Sequence, residues 1–301
     1  MSARLRPVER VGFIGLGVMG SAQCANLVRK SGLPVTVFDL SAAAVQRLQE
    51  QGATAADSPA GVVGDVDVLF LSLPGGPQVE DVLLGGGGVF AAARPGTIVV
   101  DLSTIPVGLA RRLGDDAHRA GIAFVDAPVA RTRQAAIDGT LSITVGARVD
   151  AFEAVLPLLR MLATDIVRCG LSGAGALLKI VNNMVVFETV VALSEALTLI
   201  RRSGLVDQQV AFDALANGSA ASFTLENHGR KALLPDVHPE DLFPAAYMRK
   251  DLSYALELAA QLGTTLPAAT LAHQLLGDVV DRGLGQSYHT AVVRVIEGGA
   301  P

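Results

Sequence analysis

The fold of this chain is decided by the stretch Val11-Gly12-Phe13-Ile14-Gly15-Leu16-Gly17-Val18-Met19-Gly20. A short apolar run ends in a Gly-x-Gly-x-x-Gly turn, and a helix-forming segment, residues 21–28, follows it. Strand, glycine turn and helix in this order are typical of a βαβ unit that binds a dinucleotide. In such a unit Gly15 makes the tight turn, Gly17 lets the backbone approach a pyrophosphate, and Gly20 lets the helix pack closely on the strand.

The start of the helix and the end of the next strand complete the expected dinucleotide site. Val18 and Met19 place backbone N–H groups at the helix N-terminus, where phosphate is favoured. The second strand ends in Asp39, nineteen residues past the last glycine of the turn, at the position of the acid that binds the ribose. A carboxylate there accepts a hydrogen bond from the 2′-hydroxyl and repels a 2′-phosphate, so NAD is expected rather than NADP. Arg47 on the next helix could reach a 2′-phosphate, which keeps NADP open as the less favoured cofactor.

Two patterns divide the chain. In the first part, short β-branched runs alternate with alanine-rich helical stretches, which indicates βαβ units around a parallel sheet. In the second part, helical periodicity continues without strand-like runs, so an all-helical region is expected. A small-residue joint at 171–175 precedes a long helix from about Ala176 to Ser203. The predicted domains are therefore residues 1–170, an α/β domain that binds the dinucleotide, and residues 171–301, a helical domain.

The expected strands are apolar throughout, as strands covered by helices on both faces should be. They are Arg10–Ile14, Pro34–Phe38, Val66–Ser72, Thr97–Asp101, Ile122–Asp126, Leu141–Val145 and Ile166–Arg168. The helices expected after the long one are Asp207–Ala216, Lys250–Leu262, Leu266–Arg282 and Gln286–Glu297. An irregular loop containing Pro235, Pro239 and Pro244 is expected between the first two of these helices.

The composition argues against several classes of protein. The chain has 301 residues, 50% of them hydrophobic, and a net charge of −5 with basic residues in no block longer than a pair, so a nucleic-acid partner is not expected. Cys24 and Cys169 are too few for a disulfide framework and the histidines lack metal-ligand spacing, so we expect free thiols, no metal and a cytoplasmic location. The N-terminus lacks the apolar stretch of a secretory signal. Polar and charged residues interrupt the apolar region 174–200, which predicts a buried helix and no membrane span.

Four blocks of sequence carry further information: Gly12–Gly20, Asp126–Val129 continued by Asp138–Leu141, Gly173–Gly175 with Lys179 and Asn182–Asn183, and Lys250–Leu252. Together they resemble the β-hydroxyacid dehydrogenases, the family of 3-hydroxyisobutyrate dehydrogenase and tartronate semialdehyde reductase, over nearly the whole chain. The resemblance implies a Rossmann-type α/β N-terminal domain and an all-α C-terminal domain joined by a long interdomain helix. It also implies that hydride moves between nicotinamide and a short hydroxyacid or its aldehyde. Members usually form dimers or tetramers through the helical domain, so residues 171–301 are expected to serve substrate binding and oligomerisation, and a homodimer or homotetramer is expected.

The resemblance assigns roles to single residues. Lys179 matches the family's catalytic lysine, and Asn183, one helical turn later, matches the asparagine that holds the substrate. The pair Ser103-Thr104 matches a loop beside the nicotinamide, and Lys250 matches a lysine that closes over cofactor and substrate. The pair Leu73-Pro74, after an earlier strand, is expected to bind the cofactor as well.

One block departs from the family. Most members have Ser-Gly-Gly after Asp-Ala-Pro-Val, whereas this chain has Ala130-Arg131-Thr132-Arg133. The altered block is similar to that of the sulfolactaldehyde reductases within the family, where Arg-Thr helps to bind the sulfonate. A guanidinium binds a carboxylate or sulfonate in a planar, two-pronged way, so Arg131 is expected to hold an anionic substrate. Ala130 and Thr132 are expected to line the same site, although Thr132 could be a turn residue and Arg133 a solvated neighbour.

The chemistry expected of Lys179 follows from its neighbours. It lies among leucine, isoleucine and valine on a helix that should be largely buried, and desolvation lowers the pKa of a lysine. Such an amine can accept the proton of a substrate hydroxyl and return it in the reverse reaction. Asn183 lies on the same helix face and can orient the substrate. Asn182 points about a hundred degrees away and either lines the site or bonds to a neighbouring helix. The alternative for Lys179 is a side chain whose stem covers apolar surface.

Two other functions stay open at this point. An imine reductase has a similar overall shape, but such enzymes usually lack a lysine at the Lys179 position. Outside the enzymes, the chain could be an NAD-binding module without catalysis that serves as a sensor or scaffold. The favoured substrate is a small anionic hydroxyacid or its semialdehyde, with sulfolactaldehyde as the more specific version.

Overall fold

The computed structural model describes residues 5–240 and 242–298. The chain divides into two compact units, Met1–Lys179 and Ile180–Pro301, here called the first and the second unit. The division falls inside the long helix, nine residues later than the predicted domain boundary. The first unit is α/β and the second is helical, which confirms the predicted fold class.

The first unit is built around one sheet. In chain order its strands are β1 (Val11–Ile14), β2 (Val35–Phe38), β3 (Thr54–Ala55), β4 (Val68–Leu71), β5 (Ile98–Asp101), β6 (Ala123–Asp126), β7 (Val129–Ala130), β8 (Leu141–Gly146) and β9 (Ala163–Gly170). Their order across the sheet is β3-β2-β1-β4-β5-β6-β8-β7, with β9 paired to β8. Strands β1 to β6 are parallel, as predicted. The expectation of a parallel sheet is wrong at β8, which runs antiparallel to β6 and β7.

Helices cover both faces of this sheet. They are α1 (Val18–Lys30), α2 (Ala42–Gln49), α3 (Pro59–Val63), α4 (Gly76–Leu84), α5 (Val89–Ala92), α6 (Val107–Arg119), α7 (Arg133–Asp138) and α8 (Val149–Leu159). Alternate residues of β4 serve the two layers, since Val68 and Phe70 pack in one apolar cluster and Leu69 and Leu71 in the other. Every residue of the strand is therefore buried, which explains why it is apolar throughout. Strands β3 and β7 escaped prediction because two residues carry no periodicity.

The second unit contains helices and irregular turns. After α9 (Ala174–Ser203), which spans the division, come α10 (Gln208–Ala216), a π-helical segment (Leu225–Leu233), α11 (Ala245–Gln261), α12 (Pro267–Val279), a second π-helical segment (Val280–Leu284), a 3₁₀ turn (His289–Ala291) and α13 (Val292–Ile296). Helix α11 begins five residues before the predicted start, directly after Pro244, whose extended backbone makes it the N-cap. The predicted helix Gln286–Glu297 is wrong in part, because the chain forms only the 3₁₀ turn and the short α13 there. The segment Leu225–Leu233 was not predicted.

Within the described residues, one helix, α9, is long and apolar enough to cross a membrane by length and composition alone. The core helix of a soluble protein passes the same test, and α9 places Phe187, Val190 and Leu197 in the core of the second unit. However, 39% of its most apolar stretch is buried, so the prediction of a largely buried helix is wrong. The helix is apolar around most of its circumference, and the chain covers only part of it.

Candidate functional site

The glycine turn between β1 and α1 is closed at two positions and open at the third. Gly15 has a φ of +94°, and a Cβ there would lie 2.3 Å from the carbonyl oxygen of Ser72. A Cβ at Gly20 would lie 2.0 Å from the carbonyl oxygen of Gly15. At Gly17, no atom of the described chain beyond its immediate neighbours lies within 4 Å of the Cβ position. An open position of this kind fits the close approach of a pyrophosphate to the backbone, which is the role predicted for Gly17.

The N-terminus of α1 adds hydrogen-bond donors to this space. Gly17 is the N-cap residue, and among the described residues no side chain caps this end of the helix. The first N–H groups of a helix have no partner within it, and the helix dipole favours negative charge there. Val18 and Met19 therefore present the donors expected of them, and the residues present fit a bound dinucleotide.

The side chain of Asp39 is hydrogen-bonded to the backbone of the glycine turn. Its Oδ2 accepts the N–H of Leu16 at 2.6 Å, and its Oδ1 accepts the N–H of Ser41 at 2.7 Å. The position of the carboxylate is thus fixed by backbone groups on both sides. Each carboxylate oxygen has a second lone pair, so Asp39 can still accept a hydrogen bond from a ribose hydroxyl.

The loops after β4 and β5 lie at the same edge of the sheet as the glycine turn, because β4 is parallel to β1 and β5 is parallel to β4. The Oγ of Ser103 accepts the N–H of Leu73 at 2.9 Å, and the N–H of Ser103 donates to Asp101 at 3.0 Å. The structure thus brings Leu73 together with Ser103, and Pro74 and Thr104 follow them directly in the two loops. The buried hydroxyl of Ser103 connects the two loops.

The structure places Arg131 against its own unit. Its backbone has a φ of +87°, a left-handed conformation that is uncommon for a side chain of this size. The guanidinium donates to the carbonyl oxygen of Thr140 at 2.7 Å, to Thr164 at 3.0 Å and to the carboxylate of Asp165 at 2.6 Å. The pKa of Asp165 is lowered by hydrogen bonds from Thr164 and Arg131. The planar group expected to hold a substrate anion is therefore already bound, and that role stays a prediction.

The neighbours of Arg131 begin a helix. The Oγ1 of Thr132 accepts the N–H of Ala135 at 3.2 Å and caps α7, the turn role that the sequence left open. Ala130 pairs with Ser142 in β8, and Arg133 opens α7 on the surface. The hydroxyl of Thr132 is thus occupied in this structure as well.

Lys179 lies in the second turn of α9, whose start is held by Asp126. The carboxylate of Asp126 accepts the N–H groups of Gly173 and Ala176, each at 2.8 Å. Burial raises the pKa of Asp126 to about 7, and the charge of Asp101 acts in the same direction. Sequence reasoning placed Asp126 in a block of the family pattern and gave it no role, because a pattern does not show which backbone groups a side chain reaches.

In the second unit, three predicted residues form one cluster. The Nδ2 of Asn183 donates to Asp251 at 2.6 Å, and the Nδ2 of Asn182 donates to the Oδ1 of Asn183 at 3.1 Å. The Nζ of Lys250 lies 3.0 Å from the other oxygen of Asp251 and 5.0 Å from the ring centre of Tyr254. Asp251, at the centre of the cluster, was missed, although it stands beside Lys250 in a recognised block. Among the described residues no group of His, Cys, Asp or Glu side chains is arranged to hold a metal ion.

Two family models together cover almost the whole chain. The NAD binding domain of 6-phosphogluconate dehydrogenase matches residues 10–170, and the NAD-binding domain of NADP-dependent 3-hydroxyisobutyrate dehydrogenase matches residues 173–296. The 2-(hydroxymethyl)glutarate dehydrogenase of Eubacterium barkeri is 35% identical over 96% of this chain and 95% of its own length. The 3-sulfolactaldehyde reductase of Escherichia coli (strain K12) is 30% identical over 96% of both chains. A solved structure of Mycobacterium tuberculosis 3-hydroxyisobutyrate dehydrogenase with L-serine has a TM-score of 0.87 and 30% identity, covering 96% of this chain and 99% of its own.

The chain therefore belongs to the β-hydroxyacid dehydrogenase family, as its sequence blocks predict. It is a nicotinamide-dependent oxidoreductase that acts on β-hydroxyacids, and NAD is its cofactor. The open position at Gly17 and the carboxylate of Asp39 fit that cofactor.

Proposed function

We propose that the protein interconverts a short carboxylated β-hydroxyacid and its semialdehyde, with Lys179 as general acid and base. The observation that supports this role is the position of Lys179 and Asn183, four residues apart on one uninterrupted helix. At this spacing both side chains project from the same face. The amide of Asn183 donates to Asp251 and therefore has a fixed orientation.

Bound NAD supplies the hydride acceptor, and the side chains of the protein supply proton transfer and orientation. The amine of Lys179 accepts the proton of the substrate hydroxyl during oxidation and returns it to the carbonyl oxygen during reduction. Asn183 holds the reacting oxygen in place. Lys250 contributes positive charge toward an anionic substrate, and its ion pair with Asp251 keeps the ammonium beside the asparagine.

The experiment that tests this function is the substitution Lys179→Ala. We expect kcat to fall about 10²- to 10⁴-fold, the usual contribution of a positioned acid and base. The Kd for NADH, measured by fluorescence titration, should stay unchanged, because the glycine turn is not altered. Lys179→Arg keeps the charge but cannot release its proton, so it should be equally inactive. Turnover near that of the unaltered protein in Lys179→Ala would reject the function, and absence of turnover in the unaltered protein would favour a binding module.

A sulfonated aldehyde is the second candidate substrate. It is favoured by the residues Arg131 and Thr132 and by the likeness to 3-sulfolactaldehyde reductase. The ion pair between Arg131 and Asp165 argues for the carboxylate class instead, because the guanidinium would have to leave Asp165 to bind a sulfonate. Turnover of 3-hydroxyisobutyrate, γ-hydroxybutyrate, glycerate and sulfolactaldehyde at equal concentration decides between them. We expect a carboxylate to give the highest kcat/KM.

We further propose that the protein is a cytoplasmic homodimer or homotetramer. Leu178, Val185 and Leu199 lie on α9 at multiples of seven residues and are 43%, 52% and 72% exposed. A seven-residue apolar repeat is the spacing by which two helices pack along their length. Light scattering after size exclusion should give a multiple of the 31.1 kDa chain mass. Val185→Glu should reduce that mass, and a single-chain mass for the unaltered protein would contradict the proposal.

A further inference from the structure

Asp126 connects the sheet to the start of α9. It is the last residue of β6, and its side chain is buried, with the residue 1% exposed. Its Oδ1 accepts the N–H of Gly173 and its Oδ2 accepts the N–H of Ala176. Gly173 directly precedes α9 and Ala176 lies in its first turn, and the N–H groups at the start of a helix have no carbonyl partners within the helix. A side chain of the sheet therefore caps the helix that carries Lys179.

The space around this carboxylate is filled by backbone. A Cβ at Gly146 would lie 2.4 Å from Oδ1 of Asp126, and a Cβ at Gly175 would lie 2.9 Å from its Oδ2. On the neighbouring strand β8, the hydroxyl of Thr144 donates to the carbonyl oxygen of Gly175 at 3.1 Å. The first turn of α9 is thus bound to two strands, and the carboxylate cannot shift unless the helix moves with it.

A displacement of this turn reaches Lys179 directly. Lys179 follows Ala176 by three residues, a rise of about 4.5 Å along a continuous α-helix. Proton transfer needs donor and acceptor within about 2.6–3.2 Å of each other. An error of about 1 Å in the position of a reacting group can cost about 100-fold in rate. The rate of the proton transfer therefore depends on where the first turn of α9 is held.

We propose that Asp126 is a positioning residue for the reaction, because its carboxylate fixes the first turn of α9 and with it the amine of Lys179. The inference rests on the proposed role of Lys179 as acid and base. Asp126 acts through the helix and exchanges no proton with the substrate.

The test is Asp126→Asn, which keeps the shape of the side chain but replaces one acceptor oxygen by an NH₂ group that cannot accept a hydrogen bond. We expect kcat to fall about 10- to 100-fold, while KM for the hydroxyacid and Kd for NADH change less than about threefold. A fall in kcat at nearly constant KM and Kd is expected if both ligands still bind and only the amine of Lys179 is displaced.

The matched control is Asp67→Asn. Asp67 is also buried in the first unit and also accepts two backbone N–H groups, those of Glu9 and Arg10, each at 3.0 Å. It precedes β4 and so lies at the amino edge of the sheet, away from the glycine turn. This substitution should lower the stability of the protein to urea as Asp126→Asn does and leave kcat unchanged.

The outcomes separate this inference from the proposed function. If Lys179→Ala is inactive and Asp126→Asn is as fast as the unaltered protein, the inference fails and the role of Lys179 stands. If Lys179→Ala is fully active, both fail. Equal losses of kcat in Asp126→Asn and Asp67→Asn overturn the inference, because general destabilisation then explains them. If Asp126→Asn does not fold, Thr144→Val removes the other bond to the first turn and should lower kcat about threefold to tenfold at constant KM, and an unchanged kcat overturns the inference.

Discussion

The two units hold their functional groups in different ways. In the first unit the edge of the sheet where the cofactor is expected is made of backbone, since Gly15 and Gly20 set the path of the turn and Asp39 is held by backbone N–H groups. In the second unit the polar cluster is made of side chains that bind one another, with Asp251 between Asn183 and Lys250. A site formed by the main chain, here called a backbone site, requires particular residue types at fixed spacings within a short stretch of sequence. A site formed by side chains that bind one another, here called a side-chain site, depends on residues that are far apart in the sequence and that the fold brings together.

This difference decides what a sequence can predict. The turn at residues 15–20 was predicted from its glycines, because neither Gly15 nor Gly20 has room for a side chain. Asn183 and Asp251 are 68 positions apart, and nothing in the spacing of either residue indicates their contact.

The largest effect on cofactor binding is expected at Gly20, where the backbone site is most crowded. Gly20→Ala places a Cβ 2.0 Å from the carbonyl oxygen of Gly15, so we expect a lower thermal midpoint and no measurable NADH binding by fluorescence titration. Gly17→Ala is the matched control, because its φ of −67° suits any residue and its Cβ meets no atom of the described chain beyond its neighbours. Its thermal midpoint should not change, but the Kd for NADH should rise at least about tenfold, since the new methyl group obstructs the pyrophosphate. Unaltered NADH binding in Gly17→Ala would place the pyrophosphate elsewhere.

The second unit should be the more sensitive to acid. It buries His289 completely, next to His228, whose Nδ1 is hydrogen-bonded to the hydroxyl of Tyr288. Burial lowers the pKa of His228 to about 4 and that of His289 well below its usual value. The unfolded chain takes up a proton near pH 6.5 and the folded chain does not, so stability is lost as the pH falls from about 6.5 to 4. For His228 alone the loss amounts to about 3 kcal/mol at pH 4.

Urea unfolding at pH 7 and pH 4.5 measures this effect. His228→Phe removes one titrating group and keeps an aromatic ring in place, so the variant should lose less stability than the unaltered protein between the two pH values. His118→Gln, on the surface of the first unit, is the control and should behave as the unaltered protein does. Identical pH dependence in all three proteins would show that His228 is not the source.

The parallel strands β1, β2, β4, β5 and β6 were predicted from the sequence, whereas the direction of β8 was not. The apolar run Leu141–Val145 looks the same whether the strand runs parallel or antiparallel, so the reversal at β8 was missed. Arg131 was predicted to hold a substrate anion, and in the structure its guanidinium binds Asp165, 34 positions away. Asp126 lies 47 positions before Gly173, to which it is bonded. In each case the identity of the residue is in the sequence and its partner is supplied by the fold.

A smaller effect, on kcat/KM and on the choice of cofactor, is expected at Asp39, whose carboxylate binds the backbone of the glycine turn. Asp39→Asn removes the charge that repels a 2′-phosphate and replaces one of the two oxygens that accept backbone N–H groups. We expect kcat/KM with NAD to fall about tenfold and the preference for NAD over NADP to shrink by about the same factor. Steady-state rates with both cofactors measure this. Arg47→Ala should leave the preference unchanged, and a shift in that control would mean that Arg47 takes part in choosing the cofactor.

The smallest effect, on KM and on stability, is expected at Arg131, a residue with a left-handed backbone conformation whose side chain is hydrogen-bonded within the first unit. Glycine adopts a φ of +87° freely, whereas alanine there costs about 1–2 kcal/mol. If the guanidinium stays with Asp165 during turnover, Arg131→Gly should change KM for a carboxylated substrate less than about threefold, and Arg131→Ala should be the less stable of the two to urea. The comparison of glycine with alanine isolates the backbone, since neither variant has a guanidinium. A rise in KM above about tenfold in both variants, confined to a sulfonated substrate, would show instead that the guanidinium leaves Asp165 to bind the anion. The first unit would then contain a side-chain site after all, and sulfolactaldehyde would become the favoured substrate.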